Sequence, residues 1–517
     1  MTLCYSLCRM NTTTRPDGQA NAAVTPAEAT FDEVRRKAGL FLAPALFLLI
    51  LFLPLPRLSV PAHRLAAIFA MVISLWVTEV IPLPATALLG PALAVIMGIA
   101  PARDVFAPFA DPLIFLFIGS FILAQSIFAY RLNERIAFGV MSWQIIGGRP
   151  ARILIAYGAI AFFISMWISN TATAAMLLPI GLSLLTFMRA EANVSQAYAT
   201  VLMLTTSYGA SLGGSGTPVG TPPNLITIGM IDRFAGVHVS FFQWSVIGTA
   251  VGGVLMAISF VYFGLTGRAG VQQIAECDVI VRDRSKSLGP LKRGEKNVFF
   301  AFVVTILLWI IPGVLTIVFG ADHASTRFMA NAFPESVAAL IGAVLLLVLP
   351  VGPSQRSTLT WKQAGDIDWG TILIFGSGIS LGSLAFSTKL AEVVGIGITG
   401  LLPTTSVVGI TFGATIFGVL IAEVMSHTAA SNIAIPVVIS IAKAAGVDPV
   451  APAIATCLAM STGLAFPVST PPNAIVYASG QVPITKMVRY GVVVGLVGIL
   501  VVPVLVLILV PLVIGSR

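Results

Sequence analysis

Long apolar runs separated by short polar clusters set the pattern of this chain. Leu40 to Pro54, Phe299 to Ile317 and Val492 to Val513 approach or exceed the roughly 18 to 20 residues that a helix needs to cross a hydrocarbon core. At that depth every backbone N–H and C=O must be satisfied internally, which leaves helices or a closed barrel. The runs are continuous and do not alternate with period two, which argues against barrel strands. An all-α polytopic membrane protein is therefore expected. Six crossings fit between Leu40 and Leu265 and about five more after it, giving about 11 transmembrane helices.

Composition agrees with that reading. Hydrophobic residues make up 57% of the 517 positions and charged residues only 10%, with a mean hydropathy of +0.97, so the chain cannot cover itself with the charged skin of a soluble fold. The net charge of +8 does not point to nucleic acid, because Lys and Arg gather between the apolar runs. One cluster is Arg35, Arg36 and Lys37; another, Arg268 to Lys296, holds seven basic and four acidic residues. The positive-inside rule places both in the cytoplasm, with the C-terminus periplasmic or extracellular. Residues 1–37 read as a disordered cytoplasmic tail with no cleavable signal, and 267–296 as a cytoplasmic loop. Cys4, Cys8, Cys277 and Cys457 show neither a disulfide framework nor metal-ligand spacing.

An internal repeat adds the functional signal. Ile168-Ser169-Asn170-Thr171-Ala172 is followed by Pro179, and Met425-Ser426-His427-Thr428-Ala429 by Pro436, both landmarks lying 257 residues apart. Further on, the nine residues from Pro218 to Ile226 reappear from Pro467 to Ile475, identical at seven of nine positions and including Thr221-Pro222-Pro223-Asn224 and Thr470-Pro471-Pro472-Asn473. Small polar residues and Pro in the middle of apolar segments interrupt helices. Such breaks survive in a membrane only where protein or a watery cavity satisfies the backbone, and duplicated transporters place them at the substrate site. An odd number of crossings between the copies makes them inverted repeats. A break exposes N–H groups that suit a carboxylate and carbonyls that suit sodium, and Ser, Thr and Asn side chains add uncharged ligands to both. Two facing copies suggest a substrate with two anionic ends.

These residues, with Leu75-Trp76-Val77-Thr78-Glu79-Val80-Ile81-Pro82-Leu83-Pro84, carry a resemblance. From about residue 38 the chain resembles the divalent anion/sodium symporter family (DASS, the solute carrier 13 type), which carries C4 dicarboxylates, citrate or sulfate. The resemblance implies two re-entrant hairpins and a homodimer with an elevator mechanism. Scaffold parts would span 38–147 and 297–400, and transport-domain repeats 148–266 and 401–514. It further implies substrate contacts from Asn170, Thr171, Thr221, Pro222, His427, Thr428, Thr470 and Pro471. A first sodium site would use Ser165, Ser169, Asn170 and Gly220, and a second Ser426 and Ser469. Sodium is cargo here, and no organic cofactor is expected.

The second half departs from the family pattern. His427 stands where an Asn is usual, and Ala422 where a Thr hydroxyl is common, so the second cation site loses side-chain oxygens. His427 has three readings: a hydrogen-bond donor to substrate, the carrier of a coupling proton with an ordinary pKa of roughly 6.5, or a fixed cation replacing sodium. Glu423 is a partner for His427 or a cation, or a carboxylate at the hairpin surface. Glu79 and Trp76 read as scaffold residues, and Trp361 and Trp369 as interfacial anchors. No paired Asp motif, His-Glu-x-x-His or Gly-x-Ser-x-Gly supports an intramembrane enzyme. The expected function is sodium-coupled secondary transport of small divalent anions such as succinate, malate or fumarate, with citrate and 2-oxoglutarate also open. The alternatives are a sodium-independent dicarboxylate exchanger and a sulfate transporter. The compact loops point to a bacterial inner membrane.

Overall fold

A computed structural model of the chain describes residues 26–143, 146–274, 286–353, 356–400 and 406–515. Residues 1–25, with Cys4 and Cys8, and 275–285 of the expected cytoplasmic loop, with Cys277, lie outside the described residues. All regular elements among the described residues are helices. In chain order the principal ones are α1 (Pro26–Phe52), α2 (Val60–Thr78), α3 (Leu83–Ile96), α4 (Pro112–Ala129), α5 (Leu132–Met141), α6 (Pro150–Ser165), α7 (Asn170–Ala192), α8 (Gln196–Gly214), α9 (Pro222–Ala235) and α10 (Phe241–Thr266). They continue with α11 (Arg293–Phe319), α12 (Ala324–Ala332), α13 (Glu335–Val348), α14 (Trp369–Ser387), α15 (Leu390–Thr399), α16 (Val407–Val424), α17 (His427–Ala444), α18 (Val450–Met460), α19 (Pro471–Tyr477) and α20 (Ile484–Val513).

The start of α1 corrects one expectation. Residues 26–37 are helical rather than part of a disordered tail. Pro26 at the first helical position presets φ, and the following stretch of Ala, Glu, Arg and Lys is rich in strong helix formers.

Eight described helices are long and apolar enough to cross a bilayer, or nine if the bent pair α12–α13 is one span. That set includes α7 and α16, which are arms of hairpins, and omits α3, α8 and α18, which are short or interrupted. A count by length and apolarity thus differs from the expected eleven because it takes in two hairpin arms and leaves out α1, α3 and the pieces of both cut spans.

The duplication extends well beyond the two motifs. Asp111 caps α4 by accepting from Leu113 N at 2.9 Å, and Asp368, at the same offset as the hairpin landmarks, caps α14 by accepting from Thr371 N at 3.0 Å. Arg131 and Lys389 both enter the left-handed region, at φ 52° and 63°, to turn the chain into α5 and α15. The halves are interlaced: α13 packs along α4, and α3 along α14. Helices α18 and, from Tyr198 onward, α8 are buried along their whole length. In contrast α11 and α20 expose apolar side chains such as Phe299, Ile317, Leu500 and Leu512, as lipid-facing helices do.

Polar ties hold the scaffold helices. Arg35 Nη2 meets Glu79 Oε2 at 2.9 Å, joining α1 to the left-handed cap of α2, and Trp76 Nε1 donates to Leu83 O at 3.4 Å. Arg135 of α5 meets Glu295 Oε1 at 3.1 Å and also donates to Leu288 O and Gly289 O. Glu295 in turn accepts from Lys292 N at 2.6 Å. Because Glu295 is 8% exposed, Arg135→Ala leaves a buried, unpaired carboxylate and should cost about 3 kcal/mol. A fall in the unfolding temperature in detergent, partly recovered in Arg135→Ala/Glu295→Ala, is the expected result.

Candidate functional site

Each half contains a hairpin whose tip lies against a broken span. In the first half α6 and α7 are the arms. The three residues Met166 to Ile168 turn the chain, and Ser169 caps α7 by accepting from Ala172 N at 3.3 Å. Tyr157 ties the arms to the broken span: its hydroxyl donates to Leu177 O at 2.8 Å and lies 2.9 Å from Thr206 Oγ1 on α8. The broken span is α8, a turn through Thr217 and Gly220, and α9. In the second half α16 and α17 meet at Met425, Ser426 caps α17 through Ala429 N at 3.3 Å, and the broken span is α18, a turn through Phe466 and Ser469, and α19.

The breaks are held open by the Asn of each Thr-Pro-Pro-Asn block, residues that the motif reading did not single out. Asn224 Nδ2 donates to Gly214 O at 2.9 Å and Thr217 O at 2.7 Å; Asn473 Nδ2 donates to Leu464 O and Phe466 O, both at 2.9 Å. Carbonyls that a continuous helix would have satisfied thus find a fixed amide donor. The other amide atom reaches the opposite half: Asn224 Oδ1 accepts from Cys457 Sγ at 3.6 Å, and Asn473 Oδ1 from Ser207 Oγ. Consistently, α9 packs on α17 and α19 on α7, so each post-break helix leans on the other half's hairpin.

Thr221 and Thr470 occupy matching N-cap positions, with φ, ψ of −149°, 144° and −152°, 143°, and neither side chain caps its own helix. Both helices then begin with two prolines, Pro222-Pro223 and Pro471-Pro472, which carry no N–H. These two helix starts therefore offer no backbone donor in their first two positions. The free N-terminal donors belong instead to the hairpin tips, at Asn170 and Thr171 and at His427 and Thr428, because Ser169 and Ser426 engage only the third N–H of each arm.

At the first tip oxygen atoms converge. Ser165 Oγ donates to Asn170 Oδ1 at 2.8 Å, and Thr217 Oγ1 donates to Met166 O. Gly214 and Gly220 permit this approach: a Cβ on Gly214 would strike the Asn170 amide, and one on Gly220 would strike Gly214 O and Ser165 O. Ser165 and Gly220 are buried, Asn170 is half-buried, and Ser169 and Thr171 are exposed. Ser165, Asn170 and Gly220 are thus brought together, and Ser169 sits at the rim.

The second tip has the same frame with different atoms. Ala422 takes the place of Ser165 and packs against the backbone at Gly463. His427, in the place of Asn170, has Nε2 3.3 Å from Gly463 O and is buried. The Glu423 carboxylate accepts from Ala465 N at 3.1 Å and from Ser469 Oγ at 2.7 Å. Ser426 and Ser469 therefore do not share ligands here; Ser426 caps, and Ser469 holds Glu423. Thr428 is half-buried, Thr470 buried and Pro471 exposed.

The model of the sodium:sulfate symporter transmembrane region matches residues 35–514. The chain belongs to this family. Symporter-family relatives include the sodium-dependent dicarboxylate transporter SdcS of Staphylococcus saprophyticus, 30% identical over 496 residues with 93% of each chain covered, and SdcS of Staphylococcus aureus, 29% identical over 487 residues with 92% of each covered. Among solved structures, the Alcanivorax borkumensis YdaH transporter shares the fold with a TM-score of 0.54 at 13% identity, over 93% of this chain and 98% of that one. Neisseria gonorrhoeae MtrF does so with a TM-score of 0.50 at 12% identity, over 87% and 95%. Family membership makes this chain a multi-pass membrane transporter and not an enzyme.

Replacing either break-holding asparagine tests this geometry. Asn224→Ala or Asn473→Ala strands two carbonyls at depth and should lower stability by about 1 to 3 kcal/mol per unpaired group. Thermal unfolding in detergent measures that cost, and a change below about 0.5 kcal/mol, the scale of a neutral surface substitution, would contradict it.

Proposed function

We propose that the chain is a secondary active transporter that couples sodium to the movement of small dicarboxylates, with succinate, malate and fumarate as the first substrates to test. The observation that carries this reading is the pair of matched hairpin tips, each packed on a broken span and presenting free helix N-terminal N–H groups. Partial positive charge at such N-termini favours carboxylates, and the hydroxyls of Thr171, Thr428, Thr221 and Thr470 add neutral donors that still let the anion leave. The remaining candidate substrate contacts are Asn170, His427, Pro222 and Pro471. The names of the relatives, sodium-dependent dicarboxylate transporters, support the substrate class.

Sodium fits the first tip because its neighbours are hard oxygens: Ser165 Oγ and O, Asn170 Oδ1 and the carbonyls bordering Gly220. The proposed cycle is an elevator: the parts 148–266 and 401–514 move together against 38–147 and 297–400, with the scaffold pairing two copies as a homodimer. The proposed setting is a bacterial inner membrane, N-terminus inside.

A second reading rests on one specific feature. The second tip has Ala422, His427 and a Glu423 already held by Ala465 N and Ser469 Oγ, so its oxygen set is poorer than the first. That favours coupling through one site, or obligatory exchange of dicarboxylates if His427 carries charge in place of an ion.

Uptake of radiolabelled succinate into proteoliposomes decides between these readings. Accumulation driven by a sodium gradient supports symport; uptake only into vesicles preloaded with succinate supports exchange; no uptake by either route, with sulfate uptake instead, overturns the dicarboxylate assignment. Thr171→Val and Thr428→Val should each weaken apparent affinity by about 1 to 3 kcal/mol, roughly five- to 150-fold. Ser165→Ala should raise the sodium concentration for half-maximal uptake about tenfold, which corresponds to ~1.4 kcal/mol.

A further inference from the structure

Three rings connect the first hairpin tip to the other part of the fold. Trp167, in the tip turn two residues past Ser165, stacks on Phe241 with centroids 6.4 Å apart and planes at 21°. Phe241, the first residue of α10, stacks in turn on Trp309 of α11 at 4.3 Å and 16°. Glu335, the first residue of α13, binds this stack at two points. Its Oε1 accepts from Phe241 N at 3.2 Å, and its carbonyl accepts from Trp309 Nε1 at 2.9 Å.

The same carboxylate faces a histidine. His238, in the turn between α9 and α10, has Nε2 3.8 Å from Glu335 Oε1 and Nδ1 3.8 Å from Asp232 Oδ1 near the end of α9. The His238 side chain is 63% exposed, and that of Glu335 24%. The imidazole can thus exchange protons with water, while the carboxylate it faces is partly withdrawn from it.

Within the proposed division of the chain, Trp167, Asp232, His238 and Phe241 belong to the moving part, and Trp309 and Glu335 to the static part. We propose that His238 and Glu335 form a protonation-sensitive latch across that boundary, which holds the first hairpin tip to the scaffold in the arrangement described here while His238 is charged. The latch rests on the elevator reading but makes its own claim: a group outside the substrate and sodium sites sets how readily this state is left.

The charges around His238 give the sign. Glu335, and then Asp232, hold its pKa above the ordinary value against the opposing effect of burial. Arg233 stands beside Asp232 on α9, and Asp111 at the head of α4 senses both. The charged pair is complete below an ordinary histidine pKa of about 6.5 and is lost as pH rises through the elevated value. The aromatic stack and the Phe241 N–H bond persist at alkaline pH, so the latch weakens there without disappearing.

Two measurements test it. The first compares wild type with His238→Gln and Glu335→Gln for sodium-driven succinate uptake at matched pH on both sides, from about pH 8 to about pH 6. The ratio of variant to wild-type rate should rise about two- to threefold toward acid pH, the size that a pair this exposed supports; a ratio that stays flat in both variants overturns the latch. Comparing ratios cancels the titration of substrate, which is common to all three proteins.

The second measurement uses a background lacking Cys4, Cys8, Cys277 and Cys457, with His238→Cys and Glu335→Cys joined by a short thiol cross-linker. If the two parts move against each other, cross-linking stops uptake and cleavage of the linker restores it. If cross-linked protein transports normally, the domain division itself fails, whatever the pH result. A block by cross-linking together with flat pH ratios retains the moving boundary and rejects the protonation-sensitive latch.

Discussion

Backbone carbonyls stranded at membrane depth are the constraint on which the rest of this fold depends. Two spanning segments are cut, after Gly214 and after Met460, and each cut leaves helix-end carbonyls that neither lipid nor a continued helix can satisfy. A single amide side chain answers each: Asn224 for Gly214 and Thr217, Asn473 for Leu464 and Phe466. Because these amides also bond across to Cys457 and Ser207, the two openings cannot be shaped independently. Burial of α8 and α18 follows, since helices that carry such breaks must be surrounded by protein.

The frame is duplicated more faithfully than its chemistry. Caps at Asp111 and Asp368, left-handed residues at Arg131 and Lys389, and nearly identical dihedrals at Thr221 and Thr470 show how closely the backbone repeats. Side chains diverge where ligands would sit. At the first tip the Ser165 hydroxyl bonds Asn170, and the tip meets its break where Thr217 donates to Met166 O; the second is closed by the Glu423 carboxylate accepting from Ala465 N and Ser469 Oγ. A shared frame with two kinds of closure gives one half a cluster of neutral oxygens and the other a carboxyl group already bonded by the protein.

Much of this was legible in residues that break helices. The Ser-Asn-Thr and Ser-His-Thr segments and the two Thr-Pro-Pro-Asn blocks marked both tips and both breaks, because Pro and small polar residues are costly in an apolar span, whereas Pro179 and Pro436 lie inside continuous helices. The family resemblance puts Ser165 and Asn170 in one candidate sodium site, and in the structure the Ser165 hydroxyl donates to the Asn170 amide oxygen at 2.8 Å. The break-holding role of Asn224 and Asn473 was not foreseen, although the residues lay in plain view, because which carbonyls an amide reaches depends on how the turn folds back. Trp167, Phe241, Trp309 and Glu335 come from four separated stretches of chain, and no local pattern links them. The helical start at Pro26 was missed because a polar, Ala-rich segment reads as tail until it is seen to continue an apolar helix.

The prolines at the head of α9 and α19 carry a consequence for recognition. A helix that opens with two prolines keeps its dipole but offers no N–H in its first two positions. Under the proposed function, then, Thr221 and Thr470 contribute hydroxyls, and the backbone donors for an anion must come from α7 and α17, one hairpin in each half. A monoanion needs only one such N-terminus, whereas a molecule with a carboxylate at each end engages both. Under that proposal the double proline favours two-ended substrates: it withholds from either break the donors to hold an anion alone, and leaves the pair of tips as the proposed binding unit.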